Sequence, residues 1–270
     1  MADGSAALAR RDCEMTYIPL DDPLAIFTTV SGINNHGQIV GFYVDSNYHG
    51  FFYKNGQYTT LDNPLGIGTL AWGINNHGQI VGEYYGSDNV RHGFLYSNGQ
   101  YTTLDDPIAS NTEAFGINDY GKIVGDYFGS DSVQHGFLYS NGAYTTINDP
   151  KGTYTAAFGI NDNGKIVGIY GDSNHVKHGF LYSNGHYTTL NDPLGTQGTV
   201  ATGINDNGQI VGYFINSKGI AHGFLYSNGA YTTINDPLGA HGTEVLGINN
   251  YGKIVGIYWD SAGAQHGFHT

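Results

Sequence analysis

Six histidines of this chain stand in one recurring tripeptide, His-Gly-Phe, at His49, His92, His135, His178, His222 and His266. Histidine is a common metal ligand. A zinc site, however, needs its nitrogens about 2.0–2.1 Å from one ion. Copies set 43 or 44 residues apart in a repeating chain are carried around a wide ring and cannot converge on one metal. Each histidine is therefore expected to hydrogen-bond a neighbouring strand or turn, in the same way in every repeat. If the imidazoles are buried and neutral, all six charge together near pH ~6.5, which predicts acid sensitivity. The turn Asn161-Asp-Asn-Gly164 offers oxygen ligands of the kind calcium takes. Calcium asks for about six to eight oxygens with several carboxylates. Only one carboxylate appears per turn here, and Asn35, Asn76 and Asn250 replace it in other copies, so an ordinary hairpin turn is expected. No metal and no cofactor is expected.

Positions where the repeats disagree carry more chemical information, because repetition does not require them. Three residues before each Gly-Ile-Asn stand Thr29, Leu70, Glu113, Ala156, Val200 and Glu244; immediately before it stand Ser31, Trp72, Phe115, Phe158, Thr202 and Leu246. Strand alternation puts both positions on one face. Glu113 and Glu244 belong to the third and sixth repeats and oppose one another across a six-fold ring. Glu83 and Asp126 are expected on the Glu113 side. Trp72 and Trp259, the two tryptophans of the chain, can supply stacking surface in the same region. Such a set suits a pocket that binds a cation or hydroxyls through carboxylates and a ring through aromatics. The plainer reading is drift at solvent-facing positions of a duplicated gene. Opposed carboxylates are expected farther apart than the ~5–5.5 Å of a retaining glycosidase pair, while an inverting separation of ~6.5–9.5 Å depends on channel width. No Gly-x-Ser-x-Gly nucleophile motif occurs.

These residues need a scaffold, and the repeat describes it. Gly-Ile-Asn recurs at Gly32, Gly73, Gly116, Gly159, Gly203 and Gly247, a spacing of 41 to 44 residues. That period belongs to four-stranded propeller blades. The copy from Ala114 to Pro150 reads as four short runs of β-branched and aromatic residues, each closed by a turn signal. Asn141-Gly142 between two runs is a hairpin signal, since a type I′ turn needs positive φ at both central positions. Pro150 ends the fourth strand. The sixth repeat stops at Thr270, inside its third strand, while Tyr17-Ile-Pro-Leu-Asp-Asp-Pro23 matches the fourth-strand segment Tyr101 to Pro107. The expected fold is an all-β, six-bladed propeller of four-stranded blades over residues 15–270, its ring closed by the N-terminal strand completing the last blade. Closure also protects strand edges that would otherwise pair with other chains. Residues 1–14 are expected to be a disordered or tag-like leader, without the hydrophobic core of a signal peptide.

If the donated strand is outermost, the Gly-Ile-Asn strands line the channel. One face of the ring then carries the loops that vary between repeats and the other the near-invariant turns. Binding is expected on the varied face. With 10 basic and 23 acidic residues, the net charge of −13 argues against nucleic acid and anionic membrane as partners. Its bland consequence is solubility. No apolar run approaches the ~20 residues of a membrane span. Cys13 is alone, so no internal disulfide forms.

The run Gly-Ile-Asn-Asp-x-Gly-x-Ile-Val-Gly, followed by His-Gly-Phe-Leu-Tyr, resembles the bacterial HAF-type repeats over residues 15–270. Glycine, as at Gly93 and Gly136, takes the middle place of that family's His-Ala-Phe. The resemblance implies a propeller-like array and extracellular or cell-surface placement, and brings no catalytic residues. The leading functional expectation is a monomeric, non-catalytic binding propeller, lectin-like or protein-directed, with a glycan, small molecule or protein on the varied face. Six similar units would offer six similar shallow sites. The alternatives are a hydrolase or lyase using Glu113, Glu244, Glu83 or Asp126 at the channel mouth, and a structural module of a larger surface protein.

Overall fold

A computed structural model describes residues 15–270; the leader expected over residues 1–14 lies outside them. Among the described residues there are 24 strands and no helix. They form four separate four-stranded sheets and one eight-stranded sheet. The eight-stranded sheet is two four-stranded units joined by a single parallel pair, Lys177 with Gly198. The chain therefore builds six four-stranded antiparallel units around a ring, a β-propeller. Five are consecutive in sequence. The sixth consists of Gly242–Ile248, Ile254–Trp259 and Gln265–His269, with Ile18–Pro19 from the chain start added at its outer edge. Ile18 pairs with His269 and Pro19 with Phe268, and Asp21 accepts from the Gly267 N–H at 3.0 Å.

Within each unit the sequence explains the strand order. Asn141 and Gly142 take φ of 52° and 81°, the conformation the tight hairpin requires. The inner strand of every unit carries a register shift just before its Gly-Ile-Asn glycine. Such a bulge bends the strand and re-aims its side chains. Close packing follows. A Cβ on Gly125 would stand 1.9 Å from the Glu113 carbonyl oxygen and 2.7 Å from the Phe137 ring, so only glycine fits.

The core lies between units. Phe94, from the His-Gly-Phe of the second unit, packs with Ala71, Ile74, Ile80 and Tyr84 of its own unit and with Val40 and Leu61 of the first. Equivalent clusters repeat around the ring, with all six of these phenylalanines fully buried. Burying one such side chain is worth about 1.5–3 kcal/mol.

The histidines bond as expected, but their surroundings are different. Each imidazole lies over an aromatic ring of the second strand, as His92 does over Tyr84 at 5.0 Å. Nδ1 of each meets Asp62, Asp105, Asn148, Asn191, Asn235 or Asp21 at the end of an outer strand. Nε2 faces the loop residue Asp45, Asp88, Asp131, Asp172, Asn216 or Asp260. His49, His92 and His266 are held between two carboxylates and remain partly exposed. The premise of buried imidazoles is thereby corrected, since all six are partly exposed. At His266, partial burial pulls the value down, but the Asp21 and Asp260 carboxylates together outweigh it and raise the imidazole above the ordinary histidine value.

Candidate functional site at the channel mouth

The two ends of the channel are built from opposite principles. At the end carrying the invariant turns, Asn34, Asn75, Asn118, Asn161, Asn205 and Asn249 form a closed ring. Each side-chain NH₂ donates to the backbone carbonyl of the next asparagine at 3.0 or 3.1 Å, and Asn249 returns to Asn34. Each side-chain oxygen accepts from its own turn, as Asn118 does from the Tyr120 and Lys122 N–H groups. Neighbouring turns interlock further, with Asp162 accepting from the Asp119 N–H at 2.8 Å. The turn with calcium-like oxygens is thus a staple between units.

The other end is asymmetric. Three registers of the repeat supply much of its lining: the position three before Gly-Ile-Asn, its partner on the second strand, and the residue just before His-Gly-Phe on the third. In the second unit these are Leu70, Glu83 and Arg91; in the third, Glu113, Asp126 and Gln134. In the fourth they are Ala156, Ile169 and Lys177, and in the fifth Val200, Tyr213 and Ala221. The channel behind them is a cavity of about 390 Å³, walled largely by apolar side chains. Phe42, Trp72, Phe115 and Phe158 line an arc of its wall, each edge-on to the next with centroids 5.2 to 5.6 Å apart. The same four rings also line a second pocket at the mouth, so cavity and mouth share a wall. That pocket draws its walls from the first four units, with Gln265 from the sixth.

Glu83, Glu113 and Asp126 line the mouth together. Arg91 Nη1 lies 2.5 Å from Glu113 Oε1 and 4.0 Å from Glu83 Oε2. Its guanidinium carbon stands 5.4 Å from the Tyr85 ring centroid. Gln134 Nε2 donates to Asp126 Oδ2 at 2.7 Å. Glu83 and Asp126 are almost wholly buried, at 3% and 1% exposure. Glu83 Oε2, Asp126 Oδ1 and the Trp72 indole N–H have no hydrogen-bond partner among the described residues. The indole is turned toward Glu83 but falls outside hydrogen-bond geometry. Burial, and then the Glu113 charge, push Glu83 up to about 8 against the opposing pull of Arg91. Burial and Glu113 likewise hold Asp126 well above the ordinary carboxylate value. A site with this much desolvated acid retains protons at neutral pH.

Glu83 and Asp126 do lie on the Glu113 side. Glu244 does not join them. It lines the deeper cavity on another wall, where burial raises it to about 7 with Lys177 opposing, and its charge helps burial raise Tyr213. Glu113 and Glu244, expected to oppose one another across the ring, line different cavities, Glu113 the mouth pocket and Glu244 the channel. Trp72 lines both cavities, but Trp259 lines neither: it closes the second strand of the sixth unit, opposite Gly242, beyond the walls of the mouth. Sequence reasoning misses Arg91, Gln134 and Lys177. Their signal is the residue immediately before each His-Gly-Phe, which reads Tyr48, Arg91, Gln134, Lys177, Ala221 and Gln265. Among the described residues, no group of three histidine, cysteine or acidic side chains is arranged to hold a metal ion.

No family model matches this chain, and no curated protein matches it. Solved structures do. AofleA from Arthrobotrys oligospora is 10% identical, with a TM-score of 0.61, covering 94% of this chain and 86% of its own. A point mutant of the Aleuria aurantia lectin, in complex with Fucα1-6GlcNAc, is 13% identical with a TM-score of 0.60, covering 90% and 91%. A protein of unknown function from Dyadobacter fermentans is 9% identical at 0.58, covering 94% and 96%. At these identities the likeness is one of fold.

Proposed function

We propose that this chain is a non-catalytic binding propeller that takes a glycan in one pocket at the varied end of its channel. The observation that carries the reading is the convergence of the unlike side chains of otherwise similar units on that mouth. There they leave buried polar atoms of Glu83, Asp126 and Trp72 without partners among the described residues. Buried polar groups in folded proteins are ordinarily satisfied, so unpartnered ones lining a pocket suit a ligand that completes them. A sugar supplies hydroxyls for the carboxylates, an acceptor for the indole N–H, and an apolar ring face for the aromatic arc. The fold shared with the Aleuria aurantia lectin supports the same class. Calorimetric titration with a glycan panel tests it. One site per chain, lost on Trp72→Ala, is expected; six equivalent sites would move binding to the repeated surfaces between units.

A second reading rests on Glu83, held protonated beside a carboxylate paired with arginine. Two acids in different environments are the usual arrangement of a general acid and its partner. Release of nitrophenol from aryl glycosides, abolished by Glu83→Gln, would favour a hydrolase.

A further inference from the structure

We propose that the mouth contains a cation subsite, occupied in the free protein by Arg91, and that the ligand it selects is a glycan bearing a basic amine. The glycan body of that ligand rests on the function proposed above; the cation subsite rests on separate geometry. Glu83, Glu113 and Asp126 come from two adjacent units and line one pocket. Two of their oxygens, Glu83 Oε2 and Asp126 Oδ1, are fully buried and unpartnered among the described residues. Once ionised, each carboxylate only accepts, so an ammonium group that displaces the retained proton completes it more strongly than a hydroxyl.

Arg91 already shows the pose of such a cation. Its guanidinium sits against Glu113, within 4.0 Å of Glu83, and over the face of Tyr85. Carboxylate on one side and an aromatic face on the other is the environment in which cations are recognised. The arginine is also a removable occupant. Its side chain is 42% exposed, and its backbone is held independently by the Tyr85 pairing and by the Asn111 side chain, at 2.9 Å. It can swing outward without disturbing the sheet. Of the two cations that line the pocket, Arg91 acts on Glu83 and Asp126 while Lys177 opposes Glu244, so these acids have one guanidinium to share. Burial first, and then the Glu113 charge, make Glu83 and Asp126 retain protons despite the nearby arginine. An incoming ammonium takes the place that Arg91 leaves.

The test compares matched sugars, glucosamine with glucose and galactosamine with galactose, by calorimetry at pH 7 on wild type, Arg91→Ala and Arg91→Met. Amino sugars are expected to bind wild type more tightly than their parents. Both variants are expected to widen that preference tenfold or more by removing the internal competitor, and N-acetylglucosamine is expected to behave as a neutral sugar. Equal binding of amino and parent sugars by all three proteins would overturn the cation subsite and leave the glycan reading standing. Weaker binding of amino sugars by the Arg91 variants would also overturn it, making Arg91 a ligand contact. A third probe separates the two ideas. If no sugar binds but methylguanidinium raises the melting temperature of Arg91→Ala, the subsite stands and the glycan reading falls. If neither binds, both fall.

Discussion

The constant and varied ends of the channel are made from the same six inner strands, yet they differ in every respect that physical chemistry measures. At the constant end six asparagines form one closed hydrogen-bond ring, and none leaves a buried polar atom unpartnered. At the varied end three acids crowd one arginine, two carboxylate oxygens and an indole N–H go unsatisfied among the described residues, and the six units share no common residue. The first arrangement is what selection for stability yields. The second is destabilising by itself, since an unsatisfied buried polar group costs about 1–3 kcal/mol. Proteins that retain such groups commonly use them, because functional sites are where local rules are broken.

Breaking the constant end should have the largest effect. Asn118→Ala removes the donor to the Asn161 carbonyl and the acceptor for two turn N–H groups. A loss of about 3 kcal/mol is expected, read from the denaturant midpoint. The mouth should respond in the opposite direction. Asp126→Asn removes a buried acid that resists ionisation and retains an acceptor for Gln134. A gain of about 1 kcal/mol at pH 8 is expected in the same measurement, of the size seen when functional sites are relaxed.

Acidity sharpens the contrast. An acid whose folded-state value is raised binds its proton more tightly in the native state, so stability is retained at low pH and falls as pH rises from the ordinary carboxylate value to the raised one. Glu83 at about 8 and Glu244 at about 7 both act this way. His266, also raised, adds stability that is present below its ordinary value near 6.5 and lost as pH rises through its folded value. The melting temperature is therefore expected to fall between pH ~4.5 and ~8. Glu244→Gln should flatten the part of that decline between roughly pH 4.5 and 7. A rise over the same range would show that the acids at the mouth are not desolvated. The smallest effect is expected at Tyr251, which is 76% exposed beside the constant ring. Tyr251→Ser should change stability by no more than about 0.5 kcal/mol.

The fold is legible in the sequence because repetition multiplies weak signals. One Asn-Gly or one His-Gly-Phe says little, but six in register, with the stray Tyr17 to Pro23 segment fitting the incomplete last copy, leave few arrangements. The site is legible in part. Alternation along the inner strand locates Glu113, and pairing register brings Glu83 and Asp126 beside it. Glu244 shares the register of Glu113, but rotation around the ring sends equivalent positions to different walls, and the mouth is walled mainly by four of the six units. The third register, where Arg91 stands, escapes a reading by spacing because its contribution depends on how far a long side chain reaches across a cleft. Spacing carries no such information.

Completion of the sixth unit by Ile18–Pro19 also decides how the molecule can be tethered. The third strand of that unit runs from the varied loops toward the invariant turns, ends at His269, and pairs there with Ile18. The Ile18–His269 pair thus lies on the asparagine face, one residue from Thr270. A linker attached after Thr270 starts from the back of the disc, on the side opposite the mouth. Immobilised by its tail, the protein would present its pocket outward to the solution.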